Sequence, residues 1–436
     1  MVAAATIAFG LWFLTMRFQD FGARWKQAVE IISHDDVIES NYAQPSTAAS
    51  ETSSEKEAKP SNVYMSSDDV ERYVGSILEF GNDVAINRTV CPSEISYRYS
   101  QLSSMHGGNG KIKYFFALDL YQSAGIISRL MSSIVETMRF LGPENCAISV
   151  VEGRSEDGTY EILAALKERI DAMGGHFFLS SSDINPKAGK DVDRVQALAK
   201  LRNMALLPLK SVTSSGSSDK LGEMYSSDAV IIFVNDIVVC PEDILELVFQ
   251  HANQEAHMTC AFDWIFNGTT FYDVWVSRTL VGDTFFEIPH DGSWSYSKDL
   301  FWSDPDGRRR YEAKKPFQVY SCWGGMVTLD AASFADDTVK FRASDPGECY
   351  MGEPTLLAKD LYRQGLGKVL AVPAVNVAYS DEEAVGTRAL RGYVGDHIDQ
   401  SRPSLARDET VQWQSAPPAM VKCLPNFNQP SWTSPV

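Results

Sequence analysis

Residues 229–236 read AVIIFVND, a run of apolar residues that ends in an amide and a carboxylate, Asn235 and Asp236. A short apolar run rich in β-branched residues predicts a buried strand, and Pro241 at the start of the next periodic segment predicts a helix. A carboxylate that loses its hydration in such a place needs a hydrogen-bond donor or a cation. We therefore expect Asp236 to hold a divalent metal, which prefers oxygen ligands. The alternative is a structural aspartate that caps the next turn.

The flanking sequence repeats this alternation of strand and helix. Apolar runs at residues 112–120 (IKYFFALDL) and 146–151 (CAISVV) predict two more buried strands, and residues 177–179 predict a brief third. Apolar residues recur at helical spacing in residues 127–138 and 191–207. Strands that alternate with helices predict an α/β fold with a mostly parallel sheet covered by helices. Ligands bind such sheets beyond the carboxyl ends of the strands, so we expect functional residues directly after each strand.

Two polar clusters lie at such positions. Glu152, Ser155 and Asp157 follow the second predicted strand, and we expect this loop to surround the base or ribose of a nucleotide. The alternative is a tight turn followed by a helix cap. Arg202 lies on the apolar stripe of its predicted helix, with Asn203 beside it. A buried arginine needs an anion, so Arg202 should meet either a phosphate of the ligand or a neighbouring carboxylate.

The composition limits the classes of partner. A formal charge of −18 argues against nucleic acid, whose phosphates attract clustered lysine and arginine. A single pyrophosphate would still need only a metal and a few cations. The seven cysteines lack the paired spacing of a structural zinc site, and because seven is odd, at least one thiol stays free or pairs with another chain. Sequons at Asn87 and Asn267 would permit N-glycosylation in a secretory compartment.

Four regions are expected along the chain. Residues 1–20 contain an apolar run closed by Arg17, which we interpret as a signal anchor, although its roughly 15 residues are fewer than the roughly 20 that span a bilayer. Basic residues follow this run, which a start site placed too late would explain; the alternative is a buried N-terminal helix. Residues 21–70 are expected to form a low-complexity stem, residues 71–395 the packed domain, and residues 396–436 a solvated tail rich in proline and serine.

Seven short stretches, taken in order, resemble the fungal capsule-associated α-1,3-mannosyltransferase family. They are residues 152–159 (EGRSEDGT), 198–203 (LAKLRN), 233–236 (FVND), 261–264 (AFDW), 271–278 (FYDVWVSR), 320–325 (YSCWGG) and 348–353 (ECYMGE). No single stretch is specific, but their shared order is hard to obtain by chance. The sequence departs from the family at Gly352, because the second acidic motif usually reads Ser-Glu; a hydroxyl contact is therefore absent here.

The resemblance implies a GT-A-like nucleotide-sugar transferase with a Rossmann-like sheet in residues 71–395. It implies Mn²⁺ or Mg²⁺ as cofactor, and transfer of mannose from GDP-mannose, with retention of configuration, to an oligosaccharide or polysaccharide such as an α-mannoside. It also implies a single-pass type II protein of the Golgi membrane, anchored by residues 1–20, with its catalytic domain in the lumen. Asp236 would then hold the metal, and Asn235 and the two polar clusters would contact the donor.

Sugar transfer needs a carboxylate near the carbon at which the bond breaks, because that carbon becomes positively charged. Glu353 and Glu348 flank the start of a predicted helix, whose positive end favours anions; Glu353 is the preferred candidate, and Asp263 is the third. In a retaining transfer the departing phosphate can take the acceptor's proton, so a separate base is not required. The residues expected to bind sugar or acceptor are Asp273, Trp275, Arg278, Trp323 and Gly324, with core packing as the alternative for the aromatic side chains.

Three other hypotheses stay open at this point. A transferase of this fold can use another sugar nucleotide. A non-catalytic luminal protein can keep the fold as a glycan-binding or scaffolding module. A nucleotidyltransferase would need a basic, glycine-rich phosphate loop, which the turn at residues 121–125 (YQSAG) does not have.

Overall fold

The computed structural model describes eight stretches of the chain, all within one compact unit, Lys56–Val436. They are residues 63–79, 91–104, 110–189, 192–210, 222–335, 337–398, 410–427 and 429–436. The expected anchor at residues 1–20, most of the expected stem and the sequon at Asn87 lie outside them. Within these stretches, no helix has the length and apolar character needed to cross a membrane.

Within the described residues, nine strands form one mixed sheet. Their bounds are β1 Ile112–Leu120, β2 Cys146–Glu152, β3 His176–Ser181, β4 Tyr225–Val234, β5 Met258–Ile265, β6 Thr270–Phe271, β7 Phe317–Gln318, β8 Met326–Asp330 and β9 Val369–Ala378. The order across the sheet is β3-β2-β1-β4-β8-β5-β9-β7, with β6 paired to β5. Because β1 to β5 and β9 all run in one direction, the expected mostly parallel sheet is confirmed.

One strand runs against the predicted pattern. β8 lies between β4 and β5 and pairs antiparallel with both, with Val234 opposite Met326 and Met258 opposite Leu329. The turn that enters β8 therefore lies at the edge where β4 and β5 end. Since β1 and β2 end at the same edge, loops from widely separated parts of the chain meet there.

Helices cover both faces of the sheet. Their bounds are α1 Ser67–Leu78, α2 Ser100–Ser104, α3 Ala124–Leu141, α4 Thr159–Ala172, α5 Arg194–Ala205, α6 Pro241–Asn253, α7 Pro305–Glu312, α8 Glu353–Arg363 and α9 Asp381–Arg391. Helices α3, α4 and α6 contribute to the apolar core on one face, and α5 and α8 to the core on the other. Along β1, Tyr114 and Phe116 join the first core and Phe115 and Ala117 the second, as the two-residue period of a strand requires.

Three disulfides join described cysteines: Cys91–Cys240, Cys260–Cys322 and Cys349–Cys423. Cys146 is buried and unpaired, which agrees with the odd number of cysteines. The second bond ties the turn before β8 to β5, and the third ties the loop before α8 to the C-terminal segment. The loops at the carboxyl edge of the sheet are therefore covalently fastened.

The described C-terminal residues, 410–427 and 429–436, pack against the domain, which corrects for these residues the expectation of a solvated tail over residues 396–436. Strands β10 (Val421–Cys423) and β11 (Ser431–Thr433) form an antiparallel hairpin. The hydroxyl of Tyr320 donates a hydrogen bond to the Pro435 carbonyl at 2.6 Å. The amino-acid composition did not indicate this packing, because a disulfide and hydrogen bonds to the backbone hold the segment in place, rather than many large apolar residues.

Candidate functional site

The candidate site lies at the edge of the sheet where β1, β2, β4 and β5 end and β8 begins. The turn before β8 needs glycine at position 324, where φ is +62° and an added Cβ would lie 2.0 Å from the Ala261 carbonyl oxygen. The N–H of Asn235 donates to the Gly325 carbonyl at 2.9 Å. This turn is therefore fixed beside the end of β4.

Asp236 follows at the end of β4, and its side chain is exposed. The expectation of a carboxylate dehydrated by the apolar sheet is corrected, because the chain leaves the sheet directly after Val234. Partial desolvation by the surrounding protein still raises the pKa of Asp236. The positive charge of Lys187 opposes this increase, and no described side chain donates a hydrogen bond to the carboxylate of Asp236. Asp236 is thus open to a ligand.

A buried ion pair lies beneath this edge. Arg202 Nη1 on α5 lies 2.7 Å from Glu353 Oε1, the first residue of α8, and both side chains are more than nine-tenths buried. The guanidinium carbon of Arg202 lies 3.8 Å from the Trp323 ring centroid. Of the two partners expected for a buried arginine, the structure shows the carboxylate. Arg202 Nε has no hydrogen-bond partner among the described residues.

Trp323 orients its neighbours rather than offering a surface to a sugar. Only 1% of the residue is exposed, so the expected stacking on a sugar is incompatible with this arrangement. Its indole N–H donates to Asn235 Oδ1 at 3.2 Å, while its ring supports the Arg202 guanidinium. The side chain of Asn235 is consequently oriented by the protein itself.

Asp119, near the end of β1, belongs to the same electrostatic group and was not among the predicted residues. Burial raises the pKa of Asp119 to about 6, with Arg202 acting to lower it and Asp236 and Glu353 to raise it. The signal for it was available, since Asp119 is the lone carboxylate within the apolar run IKYFFALDL. The three carboxylates create a negative field beside one arginine.

A second pair of carboxylates lies further along the edge. Asp263 is fully buried on β5 and accepts hydrogen bonds from the Tyr379 hydroxyl at 2.7 Å and from the Asp273 N–H at 3.1 Å. Asp273 is only partly buried and accepts from the Gly324 N–H at 2.8 Å. Burial, followed by repulsion from Asp273, raises the pKa of Asp263 well above its ordinary value. Burial also raises the pKa of Asp273, and the Gly324 N–H opposes that increase. Asp263 is the more deeply buried of the two and supports Asp273, which is the one a substrate can reach.

The loop after β2 is held by its own polar side chains. Ser155 Oγ accepts from the Gln122 N–H and Asp157 Oδ2 from the Ala124 N–H, both at 2.9 Å. Buried Glu152 accepts from the Ser155 N–H at 2.8 Å. These contacts connect the loops after β1 and β2, as the alternative of a structural turn expects. The assignment of the loop to a nucleotide stays a prediction.

The side chains of Asn203 and Arg278 form hydrogen bonds with backbone groups of the protein. Asn203 donates to the Phe341 carbonyl at 2.8 Å and accepts from the Phe341 N–H at 3.1 Å. Arg278 is 1% exposed and donates to the carbonyls of Trp275 and Ser277, each at 2.9 Å, and of Lys422 at 2.8 Å. Burial lowers the pKa of Arg278 to about 10. The structure therefore assigns both residues a scaffold role, in place of the expected contacts with nucleotide and acceptor.

Glu348 and Trp275 also have partners within the protein. Hydrogen bonds from Arg342 and Lys359, at 2.6 and 2.8 Å, oppose the effect of desolvation and lower the pKa of Glu348 to about 2. Glu348 is thus a stable anion in an ion-pair network. Glu353 is also ion-paired, with Arg202, but its charge acts on Asp119 beside Asp236, which makes it the better candidate for the reaction. The half-buried Trp275 ring packs edge-on against Phe427, with centroids 5.4 Å apart.

A metal ion fits this site only if oxygen atoms of a substrate complete its coordination shell. Among the described residues, no group of three or more His, Cys, Asp or Glu side chains suits a metal ion. Mg²⁺ in phosphate-binding sites often takes one or two protein carboxylates and completes its shell with phosphate and water oxygens. The open carboxylate of Asp236 fits that pattern, and Asp119 adds negative charge close by.

Comparison with known structures gives only distant similarities. The crystal structure of S. aureus TarS matches with a TM-score of 0.37 and 13% identity, over 64% of this chain and 39% of that chain. The mannosyltransferase PcManGT from Pyrobaculum calidifontis, in complex with GDP-Man and Mn2+, matches with a TM-score of 0.35 and 10% identity, over 65% and 62%. The chain spans less than two thirds of either protein, and we draw no functional conclusion from similarity at this level.

The similarity found by comparing sequences is stronger than the similarity to these solved structures. Residues 113–360 match the family model described as Cryptococcal mannosyltransferase 1. The alpha-1,3-mannosyltransferase CMT1 of Cryptococcus neoformans var. neoformans serotype D is 33% identical over 330 residues, which cover 72% of this chain and 68% of that protein. The resemblance expected from the seven stretches is confirmed. The chain therefore belongs to the Cryptococcal mannosyltransferase 1 family and is a glycosyltransferase.

Proposed function

We propose that this mannosyltransferase uses GDP-mannose and a divalent metal, and that it forms an α-1,3 linkage with retention of configuration on a mannoside of an oligosaccharide or polysaccharide. The observation that carries the proposal is the exposed carboxylate of Asp236, which lies at the carboxyl edge of the sheet and accepts no hydrogen bond from a described side chain. Family membership supports the sugar that is transferred.

Donor binding is assigned to Asp236, with Asp119 adding negative charge nearby. When bound there, Mn²⁺ or Mg²⁺ would offset the charge that develops on the departing diphosphate. Arg202 holds Glu353 through their 2.7 Å contact, so the negative charge of Glu353 keeps a fixed position below the edge. We assign this fixed anion to stabilisation of the positively charged sugar carbon.

Acceptor binding is assigned to the Asp273 end of the site. The Gly324 N–H stabilises the anionic form of Asp273, while buried Asp263 orients the backbone of Asp273. Asp273 can therefore accept a hydrogen bond from a sugar hydroxyl. The adjacent Tyr272 is 41% exposed and offers an aromatic face to the apolar side of a sugar ring. The departing phosphate takes the proton of the acceptor hydroxyl, so no side chain is needed as a base.

The proposed location is the Golgi membrane, with the catalytic domain in the lumen and residues 1–20 as a type II anchor. Three disulfides support an oxidising secretory compartment, because such bonds are rare in the reducing cytosol. Asn267 is exposed in the turn after β5, where a sequon is accessible for glycosylation.

A donor screen tests the proposal. The full chain is incubated with Mn²⁺, an α-mannoside and several sugar nucleotides, and products are identified by mass spectrometry. We expect transfer from GDP-mannose, and Asp236→Ala should lower its rate by at least ~100-fold, since loss of one charge-stabilising group costs ~2.7–4 kcal/mol. Asp306→Asn, a change at an exposed carboxylate on α7, is the control.

Two results would contradict the proposal in different ways. Full activity of Asp236→Ala would remove the metal assignment. Metal-dependent binding of GDP without transfer or hydrolysis of any donor would favour the non-catalytic glycan-binding hypothesis. Transfer from a different sugar nucleotide would keep the enzyme and replace the donor.

A further inference from the structure

A cavity of about 350 Å³ contains none of the residues assigned to donor or acceptor. It lies among α7, the end of α9 and the turn after β5, and we call it the basic pocket. The residues that line it and bear on its chemistry are Thr269, Lys298, Arg308, Tyr311, Glu312 and Arg391. Its volume lies within the range of roughly 300–1,000 Å³ that is typical of small-molecule sites.

The charge of the basic pocket is opposite to that of the protein. Three cations, Lys298, Arg308 and Arg391, line it against one carboxylate, Glu312, whereas the whole chain has a formal charge of −18. A concave surface lined by charges of one sign concentrates the field and attracts ions of the other sign. The basic pocket therefore attracts anions, although the protein as a whole is negatively charged.

Most of this positive charge is not neutralised by the protein. Arg391 donates to the neutral Gly268 carbonyl at 2.9 Å and to the neutral Tyr311 hydroxyl at 3.0 Å. Neither Arg391 nor Lys298 has an ion-pair partner among the described residues, and only Arg308 has one, Asp299. The guanidinium of Arg391 is held in place by Trp264, whose ring centroid lies 3.7 Å away.

Crowding of like charges is visible beside the pocket. Burial, and then the positive charge of Arg391, lower the pKa of Lys314. Lys314 lies 5.2 Å from the Tyr311 ring centroid, next to the hydroxyl that Arg391 contacts. A bound anion would reduce the repulsion between Arg391 and Lys314, so the pocket favours negatively charged ligands.

We propose that the basic pocket binds a sugar that carries an oxyanion, either a carboxylate or a phosphate. The planar guanidinium of Arg391 suits both groups. The Tyr311 hydroxyl accepts from Arg391 and keeps its own proton to donate to a sugar hydroxyl. The Thr269 hydroxyl donates to the Phe266 carbonyl at 2.9 Å and can accept from a sugar hydroxyl. The mixture of cations and hydroxyls favours an acidic sugar over a simple inorganic anion or a lipid chain.

Isothermal titration of the full chain, without donor or metal, tests this site. The probes are glucuronate, glucose 1-phosphate and neutral methyl glucoside, each at low and at physiological salt. We expect saturable binding of at least one anionic sugar and none of the neutral one, and the two anionic probes decide between carboxylate and phosphate. Lys298→Glu should weaken binding at least ~10-fold, because one cation becomes an opposing charge.

Arg309→Glu is the matched control, because Arg309 lies on α7 next to the pocket residue Arg308, is exposed and does not line the pocket. Equal weakening by Lys298→Glu and Arg309→Glu would show non-specific attraction and overturn the proposal. Absence of saturable binding would overturn it as well, and so would displacement of the anionic sugar by GDP, which would place it at the donor site. Since no donor is present in the titration, its failure would leave the proposed transferase activity untouched.

Discussion

Replacement of Asp119 by asparagine should stabilise the protein and impair its activity at once. Asp119 has a pKa raised from 3.8 to about 6, so the folded state binds a proton there more tightly than the unfolded chain does. Stability from this residue is fully present below pH 3.8 and is lost as the pH rises through 6. At neutral pH the ionised side chain therefore destabilises the fold, and Asp119→Asn removes that charge while keeping the shape.

The magnitude follows from the two pKa values. The difference between 3.8 and about 6, at about 1.36 kcal/mol per pH unit, gives an upper bound of roughly 3 kcal/mol. We expect Asp119→Asn to raise the free energy of unfolding by about 1–3 kcal/mol at pH 7.5 and by about a third of that at pH 4.5. Transfer should become slower in the same variant, because the donor site loses a carboxylate.

Urea denaturation followed by tryptophan fluorescence at both pH values measures the effect, with Asp306→Asn as the control. Asp306 is exposed on α7, so its replacement should change stability little at either pH. Lower stability of Asp119→Asn than of the parent at pH 7.5 would refute a destabilising charge at Asp119. A gain that is the same at both pH values would refute it as well, because then protonation of Asp119 is not its source.

Gly324→Ala should lower the free energy of unfolding by at least ~3 kcal/mol, because its Cβ would overlap a backbone oxygen. Gly347→Ala, with positive φ and open space around it, should cost only ~1 kcal/mol; equal losses in urea would refute the steric explanation. Arg202→Met should cost about 3–5 kcal/mol by leaving Glu353 buried and unpaired, and thermal unfolding should show recovery when Glu353→Gln is added. Arg278→Met should reduce stability similarly by leaving backbone carbonyls unpaired, while a selective rise in acceptor KM would instead support the sugar-binding role.

The local pattern of the sequence predicted the main layers of the fold. The apolar run that ends at Asp236 and the run IKYFFALDL both form parallel strands of one sheet. The rule that ligands bind beyond the carboxyl ends of strands predicted the edge of the sheet at which the candidate site lies. β8 was not predicted. It is five residues long, and its place between β4 and β5 depends on long-range pairing that no local pattern encodes.

The candidate site was predicted only in part. The type of a residue indicates its chemistry but not the direction in which its side chain points. Arg202 was expected to meet an anion, and it does, but only the packed structure shows that the anion is Glu353. Arg278 and Trp323 have side chains that suit sugars, yet both are turned inward and used by the scaffold. Asp119 was missed although the argument applied to Asp236 holds for it equally well.

The bond between Cys349 and Cys423 has a consequence for biogenesis. The ribosome makes Cys423 long after it has made the whole central sheet, so a growing chain cannot yet fasten the loop that leads into α8. A chain that ended before Cys423 would leave Cys349 without its disulfide partner and the loop before α8 without this covalent link. This part of the edge can therefore be fastened only after nearly the whole chain has been made.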